Sequence, residues 1–209
     1  MKKFIGILIF FISFNISSQD TYLQCGKIID TERGKVLNKK TIIVSSDKII
    51  AIKNGYVSSD NPLDKVIDLK SKTVMPGLID MHVHIESEFN PQKYMNAFTA
   101  NDADIAFGSL KFAEITLMAG FTTVRDLGGT GINISLRDAI AKGEVVGPRI
   151  FTAGKAIGTT GGHADPTNGW KNSLRGDPGP KEGVINSVDD AKKTVRQRYK
   201  DGADNIKIT

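Results

Sequence analysis

Three polar side chains at alternate positions of an apolar segment are the first sign of chemistry in this sequence. The stretch MPGLIDMHVHIESE, residues 75–88, places Asp80, His82 and His84 two residues apart. Because successive side chains of a strand point to opposite faces, these three share one face and the apolar residues between them share the other. Two imidazoles at this spacing can bind one metal ion, and Asp80 could hold an imidazole from behind through a hydrogen bond. A pair of hydrogen-bonded core histidines would give the same pattern, so the pair alone leaves both interpretations open.

A lysine near the other end of the chain could contribute to the same centre. In NIKIT, residues 205–209, Ile206 and Ile208 alternate with Lys207, which predicts a strand whose lysine points away from its apolar face. An ammonium beside a metal ion would be repelled and costly to bury. Reaction of the neutral amine with carbon dioxide removes this conflict, because the resulting carbamate is an anionic oxygen ligand that can bridge two cations. A lysine at a fraying strand end is the alternative interpretation.

The elements around these residues alternate between strand and helix, which is typical of a parallel α/β fold. We expect a strand over residues 78–84, a helix over residues 102–118, and further strands in FTTVRDLGG and RIFTAG on either side of a short helix in ISLRDAIAKG. After a Gly- and Pro-rich loop, Ser187 and Asp190 form a capping box for a helix that Gly202 ends. In a parallel barrel, the polar face of the first strand would point to the barrel mouth, where catalytic groups collect.

The segment before this region has a different pattern. Residues 20–74 contain short runs rich in β-branched side chains, separated by Asn-Gly, Asn-Pro and Pro-Gly turn signals. This predicts a small antiparallel sheet that forms one layer of a β-sandwich. We therefore divide the chain into a signal peptide at residues 1–18, the N-terminal part of a β-sandwich domain at residues 19–75, and an α/β region at residues 76–209.

The N-terminus predicts export to the periplasm or the medium. Lys2 and Lys3 precede an apolar run that is too short to span a bilayer, and Ser18 is small enough to precede a signal-peptidase cut. The protein is then expected to lack a stable membrane anchor, although an uncleaved anchor is the alternative interpretation. Cys25 is the single cysteine, so an intrachain disulfide is excluded. The formal charge of +5 comes from scattered residues, which predicts no nucleic-acid partner.

Four motifs together carry a resemblance to a known family. PGLIDMHVH, GFTTVRDLGG, GPRIFTAGKAIGTTGGHAD and DGADNIKIT closely resemble the amidohydrolase superfamily, within it the branch of imidazolonepropionase-like proteins and Xaa-Pro or Xaa-Arg dipeptidases. The resemblance implies a distorted (β/α)8 TIM-like barrel with a small β-sandwich built from both chain ends. Only about four barrel strands fall within the sequence, so residues 76–209 look like the first half of the barrel and the chain looks like an N-terminal fragment.

The resemblance also assigns site residues. His82 and His84 match the first metal-ligand pair, and Lys207 matches a carboxylated lysine that bridges two divalent ions, zinc foremost and manganese or cobalt as alternatives. His163 and Asp165 match positions near the substrate, with a polar turn as the alternative interpretation. Two further histidines and the general-base aspartate of the family are expected beyond the last residue.

The activity that the resemblance implies is hydrolysis of amide or peptide C–N bonds in small substrates by a metal-activated hydroxide. A dipeptidase such as an Xaa-Pro dipeptidase is the expected class, and a cyclic-amide hydrolase is the nearest alternative. A non-catalytic exported binding module, or an inactive fragment, is a hypothesis of another kind. The expected partner is a small molecule or a dipeptide, and a homo-oligomer is possible.

Overall fold

The computed structural model describes residues 19–209, which form two compact units with a boundary between Pro76 and Gly77. The predicted signal peptide, residues 1–18, lies outside the described residues. Within the described part of the chain, no helix is both long enough and apolar enough to cross a membrane.

The first unit is a four-stranded sheet. Its strands are β1 (Asp20–Asp30), β2 (Lys35–Ser45), β3 (Lys48–Asn54) and β4 (Lys65–Val74), in the order β3-β2-β1-β4. Short turns make β1, β2 and β3 antiparallel neighbours, but β4 pairs with β1 in parallel. The prediction of an antiparallel sheet was therefore wrong for β4. The connection over residues 55–64 is long enough to cross the sheet and return the chain in the same direction, which a hairpin turn cannot do.

One apolar cluster holds this sheet together. Cys25, Ile28 and Ile42 are buried in it, and each is less than 10% exposed. The structure places one sheet in residues 19–76, so the second layer of the predicted β-sandwich remains a prediction.

The second unit is a mixed α/β structure with a parallel sheet. Its strands are β5 (Leu78–Val83), β6 (Phe121–Asp126) and β7 (Arg149–Thr152), paired in that order. Its helices are α1 (Lys93–Thr99), α2 (Asp102–Met118), α3 (Ile132–Ala141) and α4 (Val188–Asp201), with a short 3-10 turn at Asn172–Leu174. The sequence did not predict α1. The three strands with α2 and α3 between them form the repeated strand–helix unit of a parallel fold.

Local capping explains why two of the predicted helices begin and end where they do. In α2, Asn101 and Asp104 form a capping box. In α4, the Ser187 hydroxyl accepts the Asp190 backbone N–H at 3.1 Å, and Gly202 ends the helix with a φ of 92°. These contacts confirm the predicted helix at residues 102–118 and the predicted start and stop signals of α4.

The core of the second unit lies between the sheet and the helices. Its buried members come from α2, α3, β6, β7 and the segment directly after β5, namely Ile85, Ala113, Val124, Leu136 and Ile150. This packing fixes the ends of β5, β6 and β7 relative to one another, and the candidate site is built on those ends.

The predicted strand in ADNIKIT does not form as a regular strand. Residues 204–209 run beside residues 152–157, but Ile208 makes a single parallel bridge with Ile157. The neighbouring β7 ends at Thr152, and Gly154 then adopts a φ of 62°, which bends the chain out of an extended conformation. Because a strand needs an extended partner to continue its ladder, the pairing here is reduced to isolated hydrogen bonds.

Candidate functional site

A cavity of about 410 Å³ lies at the carboxyl ends of the three parallel strands. Its lining comes from β5 and from the residues that follow β5, β6 and β7, together with the long loop and the last residues of the sequence. The side chains that could do chemistry there are His82, His84, Lys155, His163, Glu182 and Lys207. Active sites of parallel α/β proteins form at this edge, because the connecting loops converge there.

The histidine pair stands at the end of β5. The His82 and His84 rings have centroids 5.4 Å apart and are inclined at 63°, and both side chains are exposed. The His84 Nδ1 atom lies 2.6 Å from the Gly128 carbonyl oxygen. Because a carbonyl oxygen can only accept, Nδ1 must carry the proton, which leaves the lone pair of Nε2 for another partner. This is the arrangement of a metal-binding imidazole.

Asp80 does not hydrogen-bond to either imidazole. Its carboxylate accepts the backbone N–H of His82 at 2.9 Å, and the side chain is partly buried. The contact that the sequence predicted for Asp80, support of an imidazole from behind, is made on His84 by the Gly128 carbonyl. Asp80 therefore shapes the backbone of the histidine strand.

A buried carboxylate that sequence reasoning did not single out lies beneath the pair. Asp126, the last residue of β6, is 0% exposed. One of its oxygens accepts the Ile85 N–H at 2.9 Å, and the other accepts the Gly128 N–H at 3.0 Å and the Asn133 amide at 3.1 Å. Burial raises the pKa of Asp126, while the three hydrogen bonds and the nearby His84 imidazole oppose that rise. The sequence feature that could have identified Asp126 is its position at the end of a strand, directly before Leu-Gly-Gly.

A second buried carboxylate, Glu86, joins the histidine segment to α3. It is 8% exposed and accepts the backbone N–H groups of Thr130 at 2.7 Å and Asn133 at 2.8 Å, at the start of that helix. A Cβ at Gly129 would lie 2.6 Å from the Glu86 carboxyl carbon, so only glycine leaves room for this contact. Sequence reasoning missed this role, although Glu86 directly follows HVHI.

The long loop carries the two residues that were predicted to lie near the substrate. His163 is exposed and lines the cavity. Asp165 is buried, lies outside the cavity lining, and accepts the backbone N–H groups of Gly161 at 2.8 Å and Thr167 at 2.9 Å. These hydrogen bonds hold the pKa of Asp165 below its ordinary value. Asp165 therefore fixes the loop that presents His163, and substrate contact remains a prediction for both residues.

Lys207 reaches the cavity through backbone pairing. Its carbonyl oxygen accepts the Ile157 N–H at 2.8 Å, which places this segment beside the residues that follow β7. The side chain is partly buried in the cavity wall. Among residues 19–209, its ammonium has no hydrogen-bond or ion-pair partner.

The donor set of the cavity does not make a complete metal centre by itself. Within residues 19–209, no group of three or more His, Cys, Asp or Glu side chains is placed to hold a metal ion. His82 and His84 supply two imidazole nitrogens, which suit zinc and other transition ions. Zinc usually takes four ligands, so further oxygen or nitrogen donors are needed, and a carbamate at Lys207 would be such a donor.

Comparison with known proteins gives a family and several similar structures. The model of the amidohydrolase family matches residues 73–209. A solved Xaa-Pro dipeptidase with methionine bound in its active site is 44% identical, with a TM-score of 0.84, over 91% of this chain and 47% of its own. A prolidase complexed with N-methylphosphonate-L-proline is 35% identical, with a TM-score of 0.75, over 91% of this chain and 46% of its own.

A further match is shorter. The 5-methylthioadenosine/S-adenosylhomocysteine deaminase of Bacillus anthracis is 40% identical over 65 residues, which is 31% of this chain and 15% of that protein. The chain thus spans less than half the length of each of these relatives.

Proposed function

Because the chain belongs to the amidohydrolase family, we propose that the whole protein is a metal-dependent hydrolase that cleaves the amide bond of small substrates, dipeptides of the Xaa-Pro type foremost. The observation that carries this proposal is that His82, His84, His163 and Lys207 line one cavity. The resemblance to a solved Xaa-Pro dipeptidase and a prolidase supports the substrate class. Since those relatives are about twice as long, the activity belongs to the whole protein.

His82 and His84 are the proposed metal ligands of this chain. Lys207, as a carbamate, would bridge two divalent ions, with zinc first and manganese or cobalt as alternatives. A bound ion supplies Lewis-acid polarisation of the scissile carbonyl and lowers the pKa of a water molecule. The support from this chain is the tautomer of His84, which leaves Nε2 for a ligand bond, and the presence of the Lys207 amine in the same cavity.

The opposite charges of the cavity wall suit a zwitterionic dipeptide. Glu182 accepts the Gly179 N–H at 3.1 Å, and this bond, with Lys155 and Lys181 nearby, holds the pKa of Glu182 below its ordinary value. The carboxylate is therefore charged at neutral pH and can bind an ammonium group. Lys155 lines the same cavity and can bind a carboxylate, while His163 can donate a hydrogen bond to the substrate.

The whole protein is proposed to have a barrel fold and to be exported. Residues 76–209 would form the first half of a (β/α)8 barrel, and residues 19–75 would form part of a β-sandwich domain. The signal at residues 1–18 would direct the protein to the periplasm or the medium. The partly formed parallel sheet of the second unit supports the barrel.

The proposal is tested with the whole protein, loaded separately with zinc, manganese or cobalt. We expect metal-dependent release of amino acids from Xaa-Pro dipeptides, measured beside other dipeptides and cyclic amides. His84→Asn should lose bound metal and at least about a hundredfold in kcat/KM, while His163→Asn should keep the metal and raise KM. Turnover that persists without metal, or an unchanged His84→Asn, would refute the metal assignment. A protein that binds dipeptides without hydrolysing them would support the binding-module alternative.

A further inference from the structure

We propose that Asp126 is a positioning residue that sets the tautomer of His84 by holding the Gly128 carbonyl against the imidazole. The inference rests on the proposed function in one respect, since it assumes that His84 is a metal ligand. It goes beyond that function by assigning a task to a residue that lies outside the cavity lining.

Asp126 joins the two chain segments that must meet. Its Oδ2 atom accepts the N–H of Ile85, the residue directly after His84, at 2.9 Å. Its Oδ1 atom accepts the N–H of Gly128 at 3.0 Å. One carboxylate therefore fixes the distance between the backbone that carries the imidazole and the backbone that carries its acceptor.

The bond between these segments determines where the imidazole proton lies. The His84 Nδ1 atom is 2.6 Å from the Gly128 oxygen, which accepts the Nδ1 proton. A histidine side chain in water favours the other tautomer, with the proton on Nε2. Holding the carbonyl in place reverses that preference and directs the Nε2 lone pair away from Gly128.

Glycine is favoured at residue 128 by its backbone conformation, since an added Cβ would make only ordinary van der Waals contacts there. Its φ is 141°, and a Cβ there would lie 3.6 Å from the His84 Cε1 atom and 3.5 Å from the Ala156 Cβ atom. Glycine is conformationally permissive, so the backbone at this position needs a contact from elsewhere to fix it. The Asp126 carboxylate supplies that contact.

A third contact holds Asp126 itself. The Asn133 amide donates to Asp126 Oδ1 at 3.1 Å and lies 3.5 Å from the Gly154 carbonyl oxygen. Asn133 and Asp126 are both 0% exposed, so water cannot replace these contacts. Three N–H donors converge on the two oxygens of Asp126, which gives its side chain a rigid place.

The direct test is the tautomer of His84 in the metal-free protein. Histidine-labelled whole protein is examined by long-range ¹H–¹⁵N correlation at neutral pH, and the His84 signals are assigned by their loss in His84→Gln. In the unaltered protein we expect His84 with its proton on Nδ1.

Asp126→Asn keeps one acceptor oxygen but presents an amide NH₂ group to one of the two backbone N–H donors. We expect a mixture of tautomers, and zinc affinity about 10- to 100-fold lower.

Asp204→Asn is the matched control. Asp204 also accepts a backbone N–H at a strand end, that of Thr152 at 2.9 Å, but it does not contact His84. This variant should lower stability without changing the His84 tautomer or the zinc affinity. If Asp126→Asn is folded and His84 still carries its proton wholly on Nδ1, the proposal is overturned. If Asp126→Asn does not fold, the unaltered protein decides, because a proton on Nε2 of His84 refutes the proposal by itself.

These outcomes separate this inference from the proposed function. The tautomer is measured without metal or substrate, so a protein that hydrolyses no dipeptide can still show it. Conversely, an unchanged tautomer in Asp126→Asn would leave the dipeptidase proposal intact.

Discussion

At the scale of single residues, each side chain of the site has its own structural reason to be where it is. His82 and His84 follow from the alternation of β5, whereas His163 is placed by a loop that the buried Asp165 holds together. Lys207 is far from them in the sequence and reaches the cavity through its backbone bond to Ile157. Each of these supports can be tested separately.

Lys207→Ala in the whole protein should lose bound metal and most hydrolytic activity, because the bridging oxygens of the proposed carbamate are removed. Added acetate should partly restore metal binding by supplying carboxylate oxygens. Metal content and kcat/KM are the measurements. Lys155→Ala is the control, since Lys155 lines the same cavity but is a proposed substrate contact, and it should retain the metal while KM rises. A structure at neutral pH with two bound metals and an unmodified Lys207 ammonium would contradict the assignment.

Asp165→Asn should lower the free energy of unfolding by about 1–3 kcal/mol at neutral pH, since hydrogen bonds to a charged, buried acceptor are lost. The pKa of Asp165 is lowered in the fold. The stabilisation is therefore fully present above the unfolded value of about 3.9 and is lost as the pH falls through the folded value. Denaturant unfolding at several pH values should show the difference from the unaltered protein shrinking below about pH 4.

The matched control for this pH dependence is Asp189→Asn. The Asp189 side chain is 95% exposed and makes only a 3.8 Å ion pair with Lys192. Its replacement should leave the acid limb of the stability curve unchanged. A difference between the unaltered protein and Asp165→Asn that stays constant from about pH 7 to about pH 3 would show that the charge of Asp165 is not responsible.

At the scale of elements, the site depends on how closely β5 and β6 pack. Gly77 directly precedes β5, and a Cβ there would lie 2.0 Å from the Thr122 Oγ1 atom and 2.6 Å from the Thr122 Cβ atom of β6. The start of the histidine strand can therefore approach its neighbour only because residue 77 is glycine. Gly77 of the Pro76-Gly77 pair is therefore required for the packing of β5 against β6, as well as being part of a turn signal.

Gly77→Ala should destabilise the second unit by about 1–3 kcal/mol, because the added methyl group overpacks a close strand contact. Gly108→Ala is the opposite case. Gly108 lies inside α2, a Cβ there meets nothing within 4 Å, and alanine should stabilise the helix by about 0.5–1 kcal/mol. Thermal and denaturant unfolding of the two variants measure both effects. Equal changes in the free energy of unfolding for the two substitutions would show that the contact with Thr122 does not exclude a larger side chain at residue 77.

At the scale of the whole molecule, the parallel sheet of the described part of the chain is incomplete as a barrel. β5 lies at the edge of the three-stranded sheet, and it carries Ile79 at 61% exposure and Met81 at 53% exposure. Apolar side chains on an unpaired strand edge favour association with other chains. The chain matches about half the length of the solved relatives, which agrees with a sheet that needs more strands.

A polypeptide of residues 19–209 alone should associate or aggregate and should not turn over dipeptides. Its described residues contain no group of three or more His, Cys, Asp or Glu side chains placed to bind a metal. His82 and His84 alone cannot hold two ions firmly, and the proposed carbamate at Lys207 would need metal to trap it. Size-exclusion chromatography measures the association, metal analysis measures the bound ions, and a dipeptide assay measures the turnover. A soluble monomer with two tightly bound metals and steady turnover would disprove this prediction.

The proposed export predicts a mature protein that begins at or near Gln19. The apolar run before it is too short to anchor the chain in a bilayer, and Ser18 is a suitable residue before the cut. N-terminal sequencing of the exported product gives the answer. A mature chain that retains Lys2 and Lys3 would support the uncleaved anchor instead.

The sequence by itself was sufficient for features that depend on neighbours along the chain. The alternation of Asp80, His82 and His84 predicted their strand, and Ser187 with Asp190 predicted the cap of α4, because strand alternation and helix capping act over two to four residues. Family motifs added the metal chemistry and the expected role of Lys207.

Only the tertiary structure decided which groups hold the site in place. Asp126 accepts a hydrogen bond from Ile85, and Glu86 accepts one from Asn133 at the start of α3, in each case more than forty residues away in the chain. No local pattern encodes these pairings, because they depend on how the ends of three strands pack around one core. The same reason explains why the extended pattern around Lys207 did not become a strand: its neighbour turns at Gly154, and a strand exists only where a partner remains extended.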